Sequence, residues 1–153
     1  MDRLPAEETA AQLDGIVHRD TQLSNYGVDL TVEAVFKLTS PGALDFGGSE
    51  EEVADRSELA PELENPDDDY GWWKLPSGTY LIRYNERYAP KVRGVAHVTP
   101  HPRLMQAGAH HPSFEPDSEG TLETLLMVGD NGIHLKENCR VSKITVVAPP
   151  QKT

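Results

Sequence analysis

The chain has 153 residues, 37% of them apolar, and 14 Lys and Arg stand against 25 Asp and Glu for a net charge of −11. That length suits a single domain over 1–153. No run approaches the ~18 apolar residues of a membrane span, and an acidic chain offers duplex nucleic acid no basic stripe.

The charge is uneven. Residues 45–70 hold eleven acids and one base, Arg56, so this segment carries −10 and the rest of the chain is close to neutral. Cys139 is alone, which excludes an internal disulfide or a cysteine zinc site. Its place before the apolar run Val141–Val147 suggests a partly buried structural thiol. The start Met1-Asp2-Arg3-Leu4-Pro5 lacks the basic and apolar regions of a signal peptide, so a reducing cytoplasm is the expected setting.

In chain order, residues 5–14 suit a short helix, with Pro5 in the first turn, Glu7 and Glu8 on the dipole, and Gly15 as the stop. Val28, Leu30 and Val32 alternate as a strand does, and Val35–Leu38 continues the extended structure. Residues 45–70 lack periodicity and include Gly47-Gly48, Pro61 and Pro66. They read as an acidic insert, an exposed loop with the composition of disorder. Trp72-Trp73 follows it, either anchoring the chain on the core or offering a ring to a base.

Beyond the insert the pattern is β. Thr79–Tyr84, Val92–Val98, Leu122–Val128 and Ile144–Val147 are short strand-like runs. Pro76-Ser77-Gly78, Asp130-Asn131-Gly132 and Glu137-Asn138 separate them, and Asp130-Asn131-Gly132 is a hairpin signal. Near 102–108, Arg103–Ala107 suits one or two helical turns stopped by Gly108. Short strands at this spacing define an all-β barrel or sandwich.

The densest polar cluster runs from His101 to Asp117 and includes Arg103, His110, His111 and Glu115. Imidazole and carboxylate are metal ligands. However, adjacent His110 and His111 point apart on a strand, and Pro102, Pro112 and Pro116 break the path, so a polar surface loop is the plainer reading. Glu115 and Asp117 face one side of an extended segment. There a carboxylate can orient or deprotonate a water; the competing reading is solvated loop acids. Residues 77–153 hold nine bases and seven acids, enough for a local anion site. No Ser-His-Asp order or glycine-rich phosphate loop stands out.

A longer pattern is more specific. Tyr26-Gly27-Val28-Asp29-Leu30-Thr31-Val32 is followed by Leu75-Pro76-Ser77-Gly78-Thr79-Tyr80-Leu81-Ile82-Arg83-Tyr84-Asn85-Glu86. Val92-Arg93-Gly94-Val95-Ala96, Leu104-Met105, Glu119-Gly120, Leu125-Leu126-Met127-Val128 and Arg140-Val141-Ser142-Lys143-Ile144 complete it. In this order and spacing, over about residues 24–147, the chain resembles the dUTPase / dCTP deaminase family, especially archaeal dUTPases. Relatives from acidic, salt-adapted archaea carry a similar acidic insert.

The resemblance implies a distorted β-barrel assembled as a homotrimer, with sites for a deoxynucleoside triphosphate between subunits. It implies magnesium-dependent hydrolysis of dUTP to dUMP and pyrophosphate, or dCTP deamination. Asp29 matches the first-motif aspartate, which acts through water on magnesium; the alternative is a strand-end turn residue. The second motif, usually Pro-Arg-Ser-Ser-Leu, reads Pro100-His101-Pro102-Arg103-Leu104. Proline removes a hydroxyl and an N–H donor there, and Arg103 is the nearby replacement charge. In the third motif Phe114-Glu115 falls on Trp-Asp, and Ser118 replaces the aromatic that contacts deoxyribose. Glu115 is the implied base, with Asp117 the alternative if the loop shifts register. Lys143 stands for a late glutamine, and Leu125 replaces the deaminase glutamate, which disfavours deamination. Two expectations follow: a dUTP diphosphatase, or a dUTPase-fold paralogue that binds nucleotide without catalysis.

Overall fold

A computed structural model describes residues 1–150; the last three residues of the expected 1–153 domain lie outside them. In chain order the elements are β1 (Asp2–Arg3), α1 (Ala6–Ala10), β2 (Leu13–Asp14), α2 (Arg19–Gln22), β3 (Leu23–Ser24), β4 (Gly27–Leu38) and β5 (Arg56–Leu59). They continue as β6 (Trp72–Leu75), β7 (Gly78–Tyr88), β8 (Val95–Pro100), α3 (Pro102–Ala107), β9 (Ala109–His110), β10 (Gly120–Val128), β11 (Ile133–Lys136) and β12 (Arg140–Ala148). The expected all-β distorted barrel is present. A ten-stranded antiparallel sheet follows β1-β12-β4-β7-β10-β9, with β8 on β12, β2 on β7, and β3 and β5 on β4. A second, two-stranded sheet pairs β11 with β6.

Strand β4 makes the sheet curl. Its first half pairs with β12 through Val28–Thr31, and its second half pairs with β7 through Val32–Lys37. The register shifts in both ladders beside this changeover, the device by which a strand bends from one layer to another. Covered on both sides, β4 is buried at nearly every position, unlike a one-sided strand. Strands β7, β10 and β11 obey the two-residue period. Tyr80, Ile82, Tyr84, Glu86 and Tyr88 of β7 point inward, as do Leu122, Thr124, Leu126 and Val128 of β10. Val28, Leu30, Ile82, Val98, Leu126 and Ile144 meet between the layers. Each such side chain contributes about 1.5–3 kcal/mol by leaving water.

Helix α3 occupies the expected place. Pro102 begins it, and Gly108 ends it at φ 107°, a left-handed conformation that glycine adopts without penalty. Cys139 is half-buried, and burial raises its thiol pKa to about 11. No helix among the described residues is long and apolar enough to cross a membrane.

Three local expectations are corrected. The N-terminal helix ends at Ala10, and Leu13–Asp14 instead pairs with β7. The acidic segment is exposed but not without structure. Strand β5 lies along β4, and isolated bridges join Ala43 to Glu52 and Glu62 to Trp72. Almost every β5 side chain faces water, so its backbone pairing leaves no apolar alternation in the sequence. Asp130-Asn131-Gly132 does make a turn, but not a hairpin. It sends the chain from β10 into the other sheet, where β11 pairs with β6. Trp73, rather than the pair together, anchors this region: it is buried, and its Nε1 donates to Leu59 O at 2.9 Å.

Candidate nucleotide site

Asp29 sits in β4 opposite Lys143 of β12. Only 5% of Asp29 is exposed. Its Oδ2 accepts from Arg140 Nη1 at 3.0 Å, whereas Oδ1 is buried without a hydrogen-bond partner among the described residues. A buried carboxylate oxygen in that state is costly, so Oδ1 is suited to accept from a water or an arriving ligand.

His101 closes the other side. It caps α3, with Nδ1 accepting the Arg103 N–H at 3.2 Å. That assigns the ring proton to Nε2, which faces Asp29 Oδ2 at 3.7 Å, beyond direct hydrogen bonding. Burial lowers the His101 pKa; Asp29 raises it, and Arg103, Lys143 and Arg140 lower it further. Asp29, His101, Arg103 and Lys143 are thus brought to one corner. Arg140 joins them there, although it had no singled-out role in the sequence.

A polar cluster fixes the backbone behind Asp29. Glu86 is fully buried in β7. Its carboxylate accepts from Thr31 N at 2.8 Å, Thr31 Oγ1 at 2.7 Å and Gln22 Nε2 at 2.9 Å. Gln22 Nε2 also donates to the Asp29 carbonyl at 2.8 Å. Burial raises the Glu86 pKa, and the bonds from Thr31 and Gln22 oppose that shift. The cluster supplies hydrogen bonds where β4 changes partners. An acid in the inward phase of Tyr80, Ile82 and Tyr84 is the sequence signal that points to Glu86.

The three histidines of the expected polar cluster separate. His101 caps α3, His110 is exposed, and His111 is buried. His111 Nε2 meets Ser142 Oγ at 2.7 Å, and Nδ1 meets Pro112 O at 2.8 Å. Tyr84 OH lies 2.6 Å from the same Ser142 Oγ. The consistent assignment has His111 Nδ1–H donating to Pro112, Ser142 donating to His111 and Tyr84 donating to Ser142. This chain secures the segment after β9 to β12. Among the described residues no group of three His, Cys, Asp or Glu could hold a metal ion.

Glu115, Asp117 and Ser118 lie elsewhere. They line an open pocket of about 540 Å³ with Arg93. Glu115 Oε1 is 3.3 Å from His97 Nδ1, and both side chains are well exposed. His97 and His101 are four positions apart, which on an extended strand is roughly 13 Å. One chain therefore does not bring Glu115 or Asp117 to Asp29.

No family model matches the chain. A probable deoxyuridine 5'-triphosphate nucleotidohydrolase of Methanosarcina acetivorans is 31% identical over 141 residues, covering 90% of this chain and 79% of that protein. Another of the same description, from Halobacterium salinarum, is 36% identical over 129 residues, covering 83% and 76%. In structure the chain is similar to 2'-deoxycytidine 5'-triphosphate deaminase from Agrobacterium tumefaciens, with TM-score 0.67 at 13% identity. That match covers 95% of this chain, which spans about half the deaminase's length, at 48%. The curled sheet and its structural similarity to the deaminase define a dUTPase-like β-barrel. By its sequence relatives, the chain belongs to the deoxyuridine 5'-triphosphate nucleotidohydrolase (dUTPase) family.

Proposed function

We propose that the protein hydrolyses dUTP to dUMP and pyrophosphate. The observation that carries this reading is the buried Asp29, whose free Oδ1 lies in a corner supplied by Arg140, His101, Arg103 and Lys143. Basic groups beside one carboxylate suit a substrate rich in phosphate.

In this reading water attacks the α-phosphorus, and the bond to the bridging oxygen of the leaving pyrophosphate breaks. Glu115 takes the water's proton, with Asp117 as the alternative base. Arg103, His101 and Lys143 hold phosphate oxygens, and Ser118 borders the sugar. Magnesium prefers oxygen ligands, retains waters and commonly binds substrate phosphates. Asp29 Oδ1 fits an acceptor for one such water. When bound, the ion neutralises charge on the triphosphate.

The distance between Asp29 and Glu115 favours a homotrimer whose sites lie between subunits, where each chain completes its neighbour's site. A cytoplasmic setting in a salt-adapted archaeon accords with the acidic insert. Leu125 at the position of the deaminase glutamate disfavours dCTP deamination.

A second reading, a nucleotide-binding module without catalysis, is favoured by the altered second motif. His101 and Pro102 offer fewer phosphate donors than arginine and serine would. Pyrophosphate release from dUTP with magnesium, at low and high salt, decides between the readings. Turnover that falls in Glu115→Gln or Asp117→Asn supports hydrolysis. Nucleotide binding by calorimetry without turnover in any salt supports the module.

A further inference from the structure

The first turn of α3 has few donors left for phosphate. Pro102 has no N–H. The Arg103 N–H is taken by His101 Nδ1 at 3.2 Å, and the Leu104 N–H by His101 O at 2.9 Å. The helix is only six residues long.

Positive charge instead gathers beside it. Arg103, Lys136 and Arg140 line a cavity of about 370 Å³ between α3 and the connection from β11 to β12, with Trp72 on its wall. Its acid, Glu137, accepts the Gly71 N–H at 2.7 Å. Lys136 Nζ lies 5.5 Å from the Trp72 ring centroid. Among the described residues neither Lys136 nor Arg103 has a carboxylate within salt-bridge distance. Arg140 lines this cavity and also reaches Asp29, so the cavity adjoins the corner that holds Asp29.

We propose that this cavity, rather than the first turn of α3, holds the distal phosphates of the nucleotide, with Lys136 and Arg140 binding beside Arg103. The assignment rests on the proposed nucleoside triphosphate ligand and deepens it. A polyphosphate enters past Asp29, meets Arg140 and Arg103, and ends at Lys136. The lysine donates to terminal oxygens, and the guanidinium groups bind in fork geometry. Charge lost from the second motif is thereby recovered from β11 and β12.

Inorganic tripolyphosphate is the direct probe, titrated calorimetrically and by tryptophan fluorescence because Trp72 borders the site. Lys136→Ala is expected to weaken binding about tenfold, the usual effect of one charge-assisted bond. Lys136→Arg should recover most of it. Lys74→Ala removes a nearby exposed lysine on β6 that does not line the cavity, and should have little effect. Circular dichroism checks that each variant is folded. Absence of tripolyphosphate binding, or equal effects at Lys136 and Lys74, overturns the assignment. If dUTP is hydrolysed while Lys136→Ala leaves both KM and tripolyphosphate binding unchanged, the cavity assignment falls and the hydrolase reading stands. If Lys136-dependent binding occurs without pyrophosphate release, the cavity assignment stands and hydrolysis falls.

Discussion

Arg140 donates to Asp29 Oδ2 at 3.0 Å across the pair formed by β12 and β4, leaving Asp29 Oδ1 as a buried oxygen without a hydrogen-bond partner among the described residues. The two ends of this contact differ. Asp29 is enclosed, whereas a third of the Arg140 side chain is exposed. Water can therefore compensate the arginine more readily than the aspartate. Arg140→Ala should destabilise the fold by about 1–3 kcal/mol, below the full cost of breaking a wholly buried pair. Asp29→Asn should lower magnesium-dependent turnover on the order of a hundredfold. In a double-mutant cycle the two changes should be non-additive in urea unfolding.

His111 gives a dependence on pH with a definite sign. Burial lowers its pKa from 6.5; the Pro112 carbonyl opposes the shift and His110 adds to it. Below pH 6.5 the unfolded chain takes up a proton that the folded ring resists. His111 therefore contributes stability that is present above 6.5 and is lost as pH falls through its folded value. Urea midpoints should decline on acidification from neutral pH. His111→Gln should flatten that decline while costing stability at neutral pH, because it breaks the chain through Ser142 to Tyr84. Any slope remaining near that range includes His101, whose pKa is also lowered.

Gly132 should be intolerant of a side chain. Its φ is +74°, and an added Cβ would stand 2.8 Å from Leu75 O. Both the left-handed backbone and the collision oppose substitution, because the carbonyl belongs to β6 rather than to a flexible side chain. Gly132→Ala should cost about 1–3 kcal/mol, while Asn131→Ala next to it changes thermal stability far less. Equal effects would contradict the close approach of the turn to β6.

The acidic insert should govern salt response more than ligand binding. Its acids are mostly exposed, with Asp45 and Asp68 half-buried, and β5 is tied down by other contacts: Arg56 reaches Glu123 at 2.7 Å, and Leu59 accepts from Trp73. Replacing the acids in 45–70 with Asn, Gln or Ser while retaining Arg56 and Leu59 removes mutual repulsion without removing those anchors. Thermal midpoints of the native chain should rise between about 0.1 and 1 M sodium chloride as repulsion is screened. The neutral variant should show a flatter response and lower solubility, with tripolyphosphate affinity retained. Loss of affinity would move the insert into the site.

The sequence carries the strand phases more clearly than the strand partners. Tyr80, Ile82 and Tyr84 alternate because one face of β7 leaves water, while Val28, Leu30 and Val32 mark the apolar phase of β4, whose other face buries the polar Asp29 and Thr31. Arg56–Leu59 has no such face, so β5 is invisible to periodicity. The turn at Asp130-Asn131-Gly132 is local chemistry, but the choice of β6 as partner for β11 depends on distant packing. Asp29, His101, Arg103 and Lys143 were legible through family spacing. Arg140 was not, since an arginine on a strand usually faces solvent and its bond to Asp29 depends on how β12 packs on β4. Glu86 lay within reach, because its place in the alternation already required burial.

The separation of Asp29 from Glu115 yields the sharpest test of assembly. If each site draws Asp29 from one subunit and Glu115 from the next, Asp29→Asn and Glu115→Gln damage different contributors to one site. Each variant alone should be nearly inactive. Mixed after reversible dissociation in equal amounts, random assembly leaves about a quarter of the sites with both native residues. Pyrophosphate release should recover to about that fraction, and light scattering should give three times the 16.9 kDa chain mass. Recovery requires exchange, so labelled subunits are followed in parallel by energy transfer. Exchange without recovery would mean that both residues act within one chain, whereas turnover by Glu115→Gln alone would mean that Glu115 is not the base. In that second case Asp117→Asn takes the place of Glu115→Gln in the mixture: recovery assigns the base to Asp117, and exchange without recovery excludes a shared site.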